Sequence, residues 1–227
     1  MNEKFTLKCE CENNKMKYSV IIPCFEELEE DFRMCLNSIK NQTVQPYEVI
    51  AINDCGNKDF EKIVKEYGYK YLYNEENLGC GGARNRGIRE ATGDYLIFCN
   101  ADDYFVPNAI QEIEAVNKGQ DLILVGIRSW CKPDIKPKPV LFFVIPNAAN
   151  TPYFSKKMLF GEPMHVVNRQ FILDNDLFEI EHLAICDVDW CMRLEAKINT
   201  YTYVPKPLYY WQVGHKKTNA ERGILWY

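Results

Sequence analysis

Short apolar runs alternate along the first half of the chain with segments whose apolar residues recur every three or four positions. Tyr18-Ser19-Val20-Ile21-Ile22-Pro23 is a β-branched run stopped by proline, which predicts a buried strand. Phe32, Cys35, Leu36 and Ile39 follow at helical spacing. Val49-Ile50-Ala51-Ile52 predicts a second strand, ending in the polar turn Asn53-Asp54-Cys55-Gly56-Asn57. Phe60, Ile63, Val64 and Tyr67 mark a helix, and Tyr69 to Tyr73 a third strand. A glycine-rich stretch, Gly79-Cys80-Gly81-Gly82, leads into a helix through Ile88 and Ala91. Tyr95 to Cys99 predicts a fourth strand, followed by Asn100-Ala101-Asp102-Asp103. Pro107 is read as opening a helix that carries Ile110, Ile113 and Val116. Asp121 to Gly126 predicts one more strand.

Strands alternating with helices imply an α/β fold with a mostly parallel central sheet flanked by helices. In such sheets ligands bind beyond the carboxyl ends of the strands. Pro23, Asn53-Asp54 and Asn100 to Asp103 all follow strand ends, so they are expected to meet at one crevice.

The second half is less regular. Pro133, Pro137, Pro139, Pro146 and Pro152 point to a long loop with one strand at Leu141 to Ile145. Val166 to Leu173 reads as helical, and so does the segment from Asp187 to Leu194. Tyr201 to Val204 and Leu208 to Trp211 read as two short strands around Pro205 and Pro207. The expected organisation is a tail over 1–16 and a single domain over 17–212. That domain has one half over 17–126 and another over 127–212, and a tail or lid follows over 213–227.

Length and composition suit one large domain. The chain has 227 residues, 47% hydrophobic and 26% charged, enough to bury a core without disulfide or metal staples. A net charge of −5 argues against general nucleic-acid binding. The ten cysteines contain no C-x-x-C pair and several sit in apolar runs, so they read as reduced thiols of a cytoplasmic protein. Cys9-Glu10-Cys11 is a weak metal motif in the tail. No signal peptide and no apolar run of transmembrane length is visible.

Three segments carry candidate chemistry. Asn100-Ala101-Asp102-Asp103 brings carboxylates to a strand tip, where oxygen ligands suit Mg²⁺ or Mn²⁺; a solvated acidic turn is the alternative. Gly79 to Gly87 combines glycines with a helix start, which suits close approach to an anion or a flexible turn. It is neither a dinucleotide fingerprint nor a P-loop. Cys186-Asp187-Val188-Asp189 offers a general base or ordinary acidic residues at a helix start.

Taken together these segments resemble the family-2 glycosyltransferases, closely over 18–112 and more weakly over 163–213. The stretch Ser19 to Glu27 resembles that family's opening strand and turn, and Asn53-Asp54 its second-strand acid. Asn77-Leu78-Gly79 with Gly82 to Gly87 resembles its Gly-Ala-Arg-Asn-x-Gly helix start. Asn100 to Asp103 stands where its Asp-x-Asp motif falls. The resemblance implies a GT-A fold, with a Rossmann-like nucleotide-binding half and an acceptor half. It also implies transfer of a sugar from a nucleotide-diphosphate donor, UDP-linked by expectation, to a hydroxyl acceptor such as a glycan, with inversion and with a divalent metal.

By the same resemblance Pro23, Phe25, Glu27, Asp54, Gly79, Arg84, Asn100, Ala101 and Asp102 line the donor site. Asp102 ligates Mn²⁺ or Mg²⁺, and Asp187 is the base. His215 either completes the metal shell or is an exposed histidine in a basic tail. His165 and Trp190 either line the acceptor pocket or belong to the core. Three positions depart from the family pattern: Asn100 replaces the first Asp of Asp-x-Asp, Cys186 replaces the Glu before the base, and Gln212 stands in place of an arginine. The first two departures are what an inactive nucleotide-sugar-binding module of the same fold would show. A nucleotidyltransferase fits less well, because Cys24-Phe25-Glu26-Glu27 puts acid where a triphosphate would lie.

Overall fold

A computed structural model describes residues 15–56, 59–130, 143–144, 165–183 and 186–212. The elements run β1 (Tyr18–Cys24), α1 (Glu29–Lys40), β2 (Glu48–Asn53), α2 (Glu61–Glu66), β3 (Lys70–Tyr73), α3 (Gly79–Glu90), β4 (Tyr95–Phe98), β5 (Tyr104–Phe105), α4 (Ala109–Val116), β6 (Leu122–Trp130), β7 (Phe143–Val144), β8 (His165–Asn168), α5 (Arg169–Asp174), α6 (Cys186–Lys197) and β9 (Tyr201–Gln212). They form an α/β fold around one sheet of order β3-β2-β1-β4-β8-β6-β9-β5, with β7 paired to β6.

Alternation along the strands divides the core in two. Val20, Ile22, Val49, Ala51, Tyr95 and Ile97 face one way and pack with Phe32, Leu36 and Ile39 of α1, Ile63 and Val64 of α2, and Ile110 and Ile113 of α4. Their neighbours Ile21, Ile50, Ile52, Leu96 and Phe98 face the other way, onto Ala83 and Ile88 of α3, Phe171 and Ile172 of α5, and Trp190 and Leu194 of α6. Successive side chains of a strand point to opposite faces, so a continuous apolar run feeds both cores. Helix α1 begins without a side-chain cap, and Glu29, Glu30 and Asp31 in its first turn complement the exposed N–H groups instead.

The first four strands in the sheet are parallel, as the β-α alternation requires. Beyond β4 the sheet is mixed: β8 is antiparallel to both β4 and β6, β6 and β9 are parallel, and β5 is antiparallel to β9. The helix expected over Val166 to Leu173 is a strand followed by a short helix. Val166 and Val167 are β-branched and pair with Ile97 and Leu96 on one side and with Ile123 and Leu122 on the other. Asn168 then caps α5, accepting the Phe171 N–H at 3.1 Å.

The two late strands are one strand, β9. Its register against β6 slips on either side of Gly126, leaving Pro205 and Lys206 out of the ladder. Proline has no N–H to donate, so a bulge accommodates it without ending the strand. Gly126, read as the boundary between the two halves, therefore lies inside β6. Pro107 precedes the cap residue Asn108 rather than opening α4. The strand expected at Leu141 to Ile145 is described only at Phe143–Val144. Cys9-Glu10-Cys11, Pro163-Met164, His215 and the segment 213–227 lie outside the described residues.

At the amino ends of the strands, the Glu48 carboxylate gathers Ser19 Oγ at 2.7 Å, the Thr92 N–H at 2.6 Å and Thr92 Oγ1 at 2.9 Å. Partial burial opposes ionisation of Glu48. The hydrogen bonds from Thr92 and Ser19 outweigh it and hold the pKa below the usual carboxylate value. A depressed folded-state pKa stabilises the protein above the unfolded value and is lost as pH falls through the folded one. Melting temperature measured between pH 6 and pH 3 is therefore expected to fall more steeply for the native protein than for Glu48→Gln; parallel curves would contradict this.

Candidate functional site

The carboxyl ends of β1, β2 and β4 lie side by side. Cys24 pairs with Asn53, and Ile21 with Phe98. Just beyond the strands, the Asp54 N–H donates to Cys24 O at 2.9 Å and the Cys99 N–H to Ile21 O at 3.0 Å. The three polar segments separated by up to 80 positions in sequence thus meet at one edge, as the alternation predicts. Pro23, Phe25 and Glu27 are partly exposed there. The Phe25 N–H donates to the Glu27 carboxylate at 2.6 Å, which folds this turn on itself.

Asp54 is buried. Its Oδ1 accepts from Asn74 Nδ2 at 2.7 Å and from the Leu78 N–H at 3.1 Å, so it ties the end of β2 to the start of α3. Gly79 enters α3 with φ of 75°, a left-handed backbone that side chains resist. Gly81 lacks the Cβ that would lie 3.0 Å from Ile180 O and 3.2 Å from Cys186 Cβ. The glycines expected to admit a ligand thus also admit protein: the segment before α6 and the first turn of α6.

Arg84 projects from α3 into the interior, where it is 5% exposed. Its guanidinium reaches Glu179 Oε2 at 3.3 Å and donates to Asn100 Oδ1 at 2.9 Å. Asn100 in turn donates through Nδ2 to Asp103 at 2.9 Å, and its backbone N–H donates to Tyr209 Oη at 3.0 Å. Asn85 fixes the same junction by exchanging two 2.8 Å hydrogen bonds with the backbone of Glu179. Ala101 is buried, and Asp102 is the partly exposed carboxylate of the turn.

Asp103 is fully buried and accepts from the Tyr209 hydroxyl, from the Gln212 N–H at 2.7 Å and from Asn100. Burial, with the Asp102 charge adding to it, lifts its pKa to about 7. Asp103 therefore anchors β9 to the turn after β4. Gln212, at the position of the missing arginine, takes part in that anchor through its backbone.

Asp187 lies partly exposed in the first turn of α6. That turn abuts the first turn of α3, where Cys186 Sγ and Cys80 Sγ are 3.2 Å apart. The neighbouring Asp189 is engaged by Arg193, whose Nε donates to it at 2.7 Å, while Arg193 also holds Phe178 O at 2.7 Å. Trp190 and His165 belong to the core. Trp190 is fully buried, donates to Leu177 O at 2.8 Å and meets Phe98 edge-on. His165, buried in β8, stands edge-on to Trp190 with ring centroids 5.8 Å apart. Both side chains are thus enclosed by their neighbours among the described residues.

Four participants are not singled out by the sequence as site residues. Glu179 lies in an aperiodic stretch, and only its contact with Arg84, 95 positions away, gives it meaning. Asn85 stands in the Gly82 to Gly87 motif without an assigned role there, and Tyr209 reads as a strand aromatic. Cys80 reads as one thiol among ten. Among the described residues no group of three or more His, Cys, Asp and Glu side chains is placed to hold a metal. No described helix is long and apolar enough to cross a membrane.

Known proteins share this fold. Structures of TarS 1–349 from S. aureus superpose with a TM-score of 0.73 for the complex with UDP-GlcNAc, at 22% identity over 89% of this chain and 60% of that one. The complex with UDP gives 0.71 at 23% identity. These likenesses establish the fold. In sequence, the chain is 36% identical over 124 residues to the uncharacterized glycosyltransferase YibD of Escherichia coli strain K12, covering 52% of this chain but 36% of YibD. It is 27% identical over 208 residues to the uncharacterized glycosyltransferase MJ1057 of Methanocaldococcus jannaschii, covering 85% of this chain and 68% of that protein. The chain thus spans just over a third of YibD and three fifths of TarS 1–349. The glycosyl transferase family 2 profile matches residues 19–191, a span that takes in the ends of β1, β2 and β4, the start of α3 and the first turn of α6, and by that match the chain belongs to glycosyl transferase family 2.

Proposed function

We propose that the chain transfers a sugar from a nucleotide-diphosphate donor to a hydroxyl acceptor, with inversion at the anomeric carbon, and that Asp187 is the general base. The observation that supports this best is the junction of α3 with α6. It sets the Asp187 turn beside the helix start that faces the ends of β1, β2 and β4. The TarS structures with UDP-GlcNAc and UDP favour a uridine nucleotide. A glycan is the acceptor proposed, and the seven free cysteines among the described residues favour a reducing, cytoplasmic setting.

Donor binding falls to the strand ends. Pro23, Phe25 and Glu27 offer an edge to the base, with Asp54 fixing the floor from beneath and Gly79 the start of α3. Arg84 holds Asn100 and thereby shapes the turn that presents Ala101 and Asp102. A divalent cation fits this turn through Asp102. Asp103 is turned inward to Tyr209 and Gln212, and Asn100 Oδ1 is engaged by Arg84, so among the described residues Asp102 is the carboxylate of this turn that would hold the cation together with the donor's phosphates. Mg²⁺ commonly binds in that way. When bound, Mn²⁺ or Mg²⁺ neutralises charge on the departing diphosphate.

The acceptor oxygen attacks the anomeric carbon from the face opposite the diphosphate. The bond from that carbon to the diphosphate oxygen breaks as the new glycosidic bond forms, and the hydroxyl proton passes to the Asp187 carboxylate. The test is calorimetric titration with UDP-sugars, with and without Mn²⁺, followed by a transfer assay across acceptors. Asp102→Ala is expected to abolish the metal-dependent part of donor binding while the melting temperature holds. Equal donor affinity in Asp102→Ala and native protein would remove Asp102 from the metal site. Absence of any metal-dependent UDP-sugar binding in the native protein would favour an inactive module of the same fold.

A further inference from the structure

The proposed reaction makes no use of the thiols where α3 meets α6. Cys80, the second residue of α3, is exposed; Cys186, the first of α6, is buried. Their sulfurs are 3.2 Å apart, and the bare Gly81 lets the two backbones come this close. Reaching a disulfide bond length of about 2.04 Å needs roughly 1.2 Å of closure, within the reach of side-chain rotation and small helix shifts.

The two thiols are electrostatically unequal. The hydrogen bond with Cys186, helped by the Arg84 charge, draws the Cys80 pKa down to about 6 against the desolvation of its sulfur by the facing helix. Cys186 is driven the other way, because it keeps the proton that the pair shares. Cys80, the exposed sulfur, is thus the one biased toward the thiolate, with the Cys186 thiol in contact with it. The second close pair, Cys35 and Cys99 at 3.5 Å, is buried in the core, and burial pushes Cys99 well above the usual thiol value.

We propose that Cys80 and Cys186 form a thiol-modification site that reacts with small disulfides of the glutathione type and closes to an intramolecular disulfide between α3 and α6. Cys80 thiolate attacks one sulfur of the small disulfide, forming a mixed disulfide and expelling one small thiolate. Cys186 then gives its proton to that thiolate, and its sulfur attacks Cys80 Sγ. The second small thiolate leaves and takes a proton from solvent. The protein loses two electrons, the small disulfide gains them, and two small thiols are released. The new bond fixes the start of α3 to the residue before Asp187. A consequent change in transfer rate rests on the proposed function; the modification itself does not.

The experiment treats the full, reduced, folded chain with glutathione disulfide, blocks remaining thiols with an alkylating reagent, and maps peptides without reduction. The expected product is a Cys80 peptide joined to a Cys186 peptide, with both residues lost from the alkylated pool and Cys35 and Cys99 still alkylatable after denaturation. In Cys186→Ser the same treatment is expected to stop at glutathione attached to Cys80, because the resolving sulfur is gone. Cys80 left unmodified in the native chain, or carrying glutathione with no link to Cys186, would overturn the proposal. Circular dichroism of Cys186→Ser checks that the variant is folded. If it is not, the native-chain map alone decides.

Discussion

Asp187→Asn is expected to slow sugar transfer by about 10²–10⁴-fold while donor affinity stays unchanged. The substitution preserves shape and one accepting oxygen but removes the capacity to take a proton. In the native chain the carboxylate sits in the first turn of a twelve-residue helix, where the helix dipole favours its charge. Steady-state kinetics with saturating donor, paired with calorimetric donor titration, separate the two effects: kcat falls while donor Kd holds. Asp189→Asn is the internal comparison. That carboxylate is engaged by Arg193 on the same helix, so its loss should cost some helix stability and little catalysis. Native turnover in Asp187→Asn would place the base elsewhere, and a reversed pattern between the two variants would assign it to Asp189.

The second large effect concerns stability. Arg84 and Glu179 form an ion pair whose side chains are 6% and 0% exposed, and Arg84 also holds Asn100. Removing one partner of such a pair leaves a charge in the interior without its counter-ion, a loss of about 3–5 kcal/mol. For a domain whose whole stability is about 5–15 kcal/mol, Arg84→Met should therefore shift the denaturation midpoint strongly. Arg84→Lys should recover only part of the loss, because an ammonium lacks the planar fork that reaches Glu179 and Asn100 together. Combining Arg84→Met with Glu179→Leu should be less destabilising than Arg84→Met alone, since no uncompensated charge remains. Urea denaturation followed by fluorescence measures all three. A loss below about 1 kcal/mol in Arg84→Met would show that water reaches this pair.

The two effects separate what Arg84 and Asp187 do. Family resemblance assigns Arg84 to the donor; its guanidinium contacts Glu179 and Asn100, and we propose that it acts on donor binding through the shape of the turn carrying Asp102. A donor affinity that falls in Arg84→Met in parallel with the melting temperature fits this positioning role.

The first half of the chain was legible because its signals are local. Continuous β-branched runs such as Ser19 to Ile22 and Val49 to Ile52 have one stable solution, a strand buried on both faces. The spacing of Phe32, Cys35, Leu36 and Ile39 likewise has one, a helix laid against them. Parallel pairing of consecutive β-α units then obliges the segments after β1, β2 and β4 to emerge on one edge, so their meeting followed from sequence order alone.

The second half resisted because its signals depend on partners. Val166-Val167 with Phe171-Ile172 satisfies helical spacing, and only the gap between β4 and β6 makes the valines a strand. Pro205 and Pro207 argue for interruption, and only a bulge against Gly126 carries β9 through them. The same dependence governs the site. Sequence determined which residue types stand at the strand ends and placed Asp102 at a strand tip and Asp187 at a helix start. Tertiary structure decided which neighbouring carboxylate is turned inward, with Asp103 held by Tyr209 and Gln212. It also decided that Glu179 meets Arg84 and that Cys80 meets Cys186. Local hydrophobic period is set within a few residues of chain, whereas an interior ion pair or a pair of facing thiols exists only once segments about a hundred residues apart are packed together.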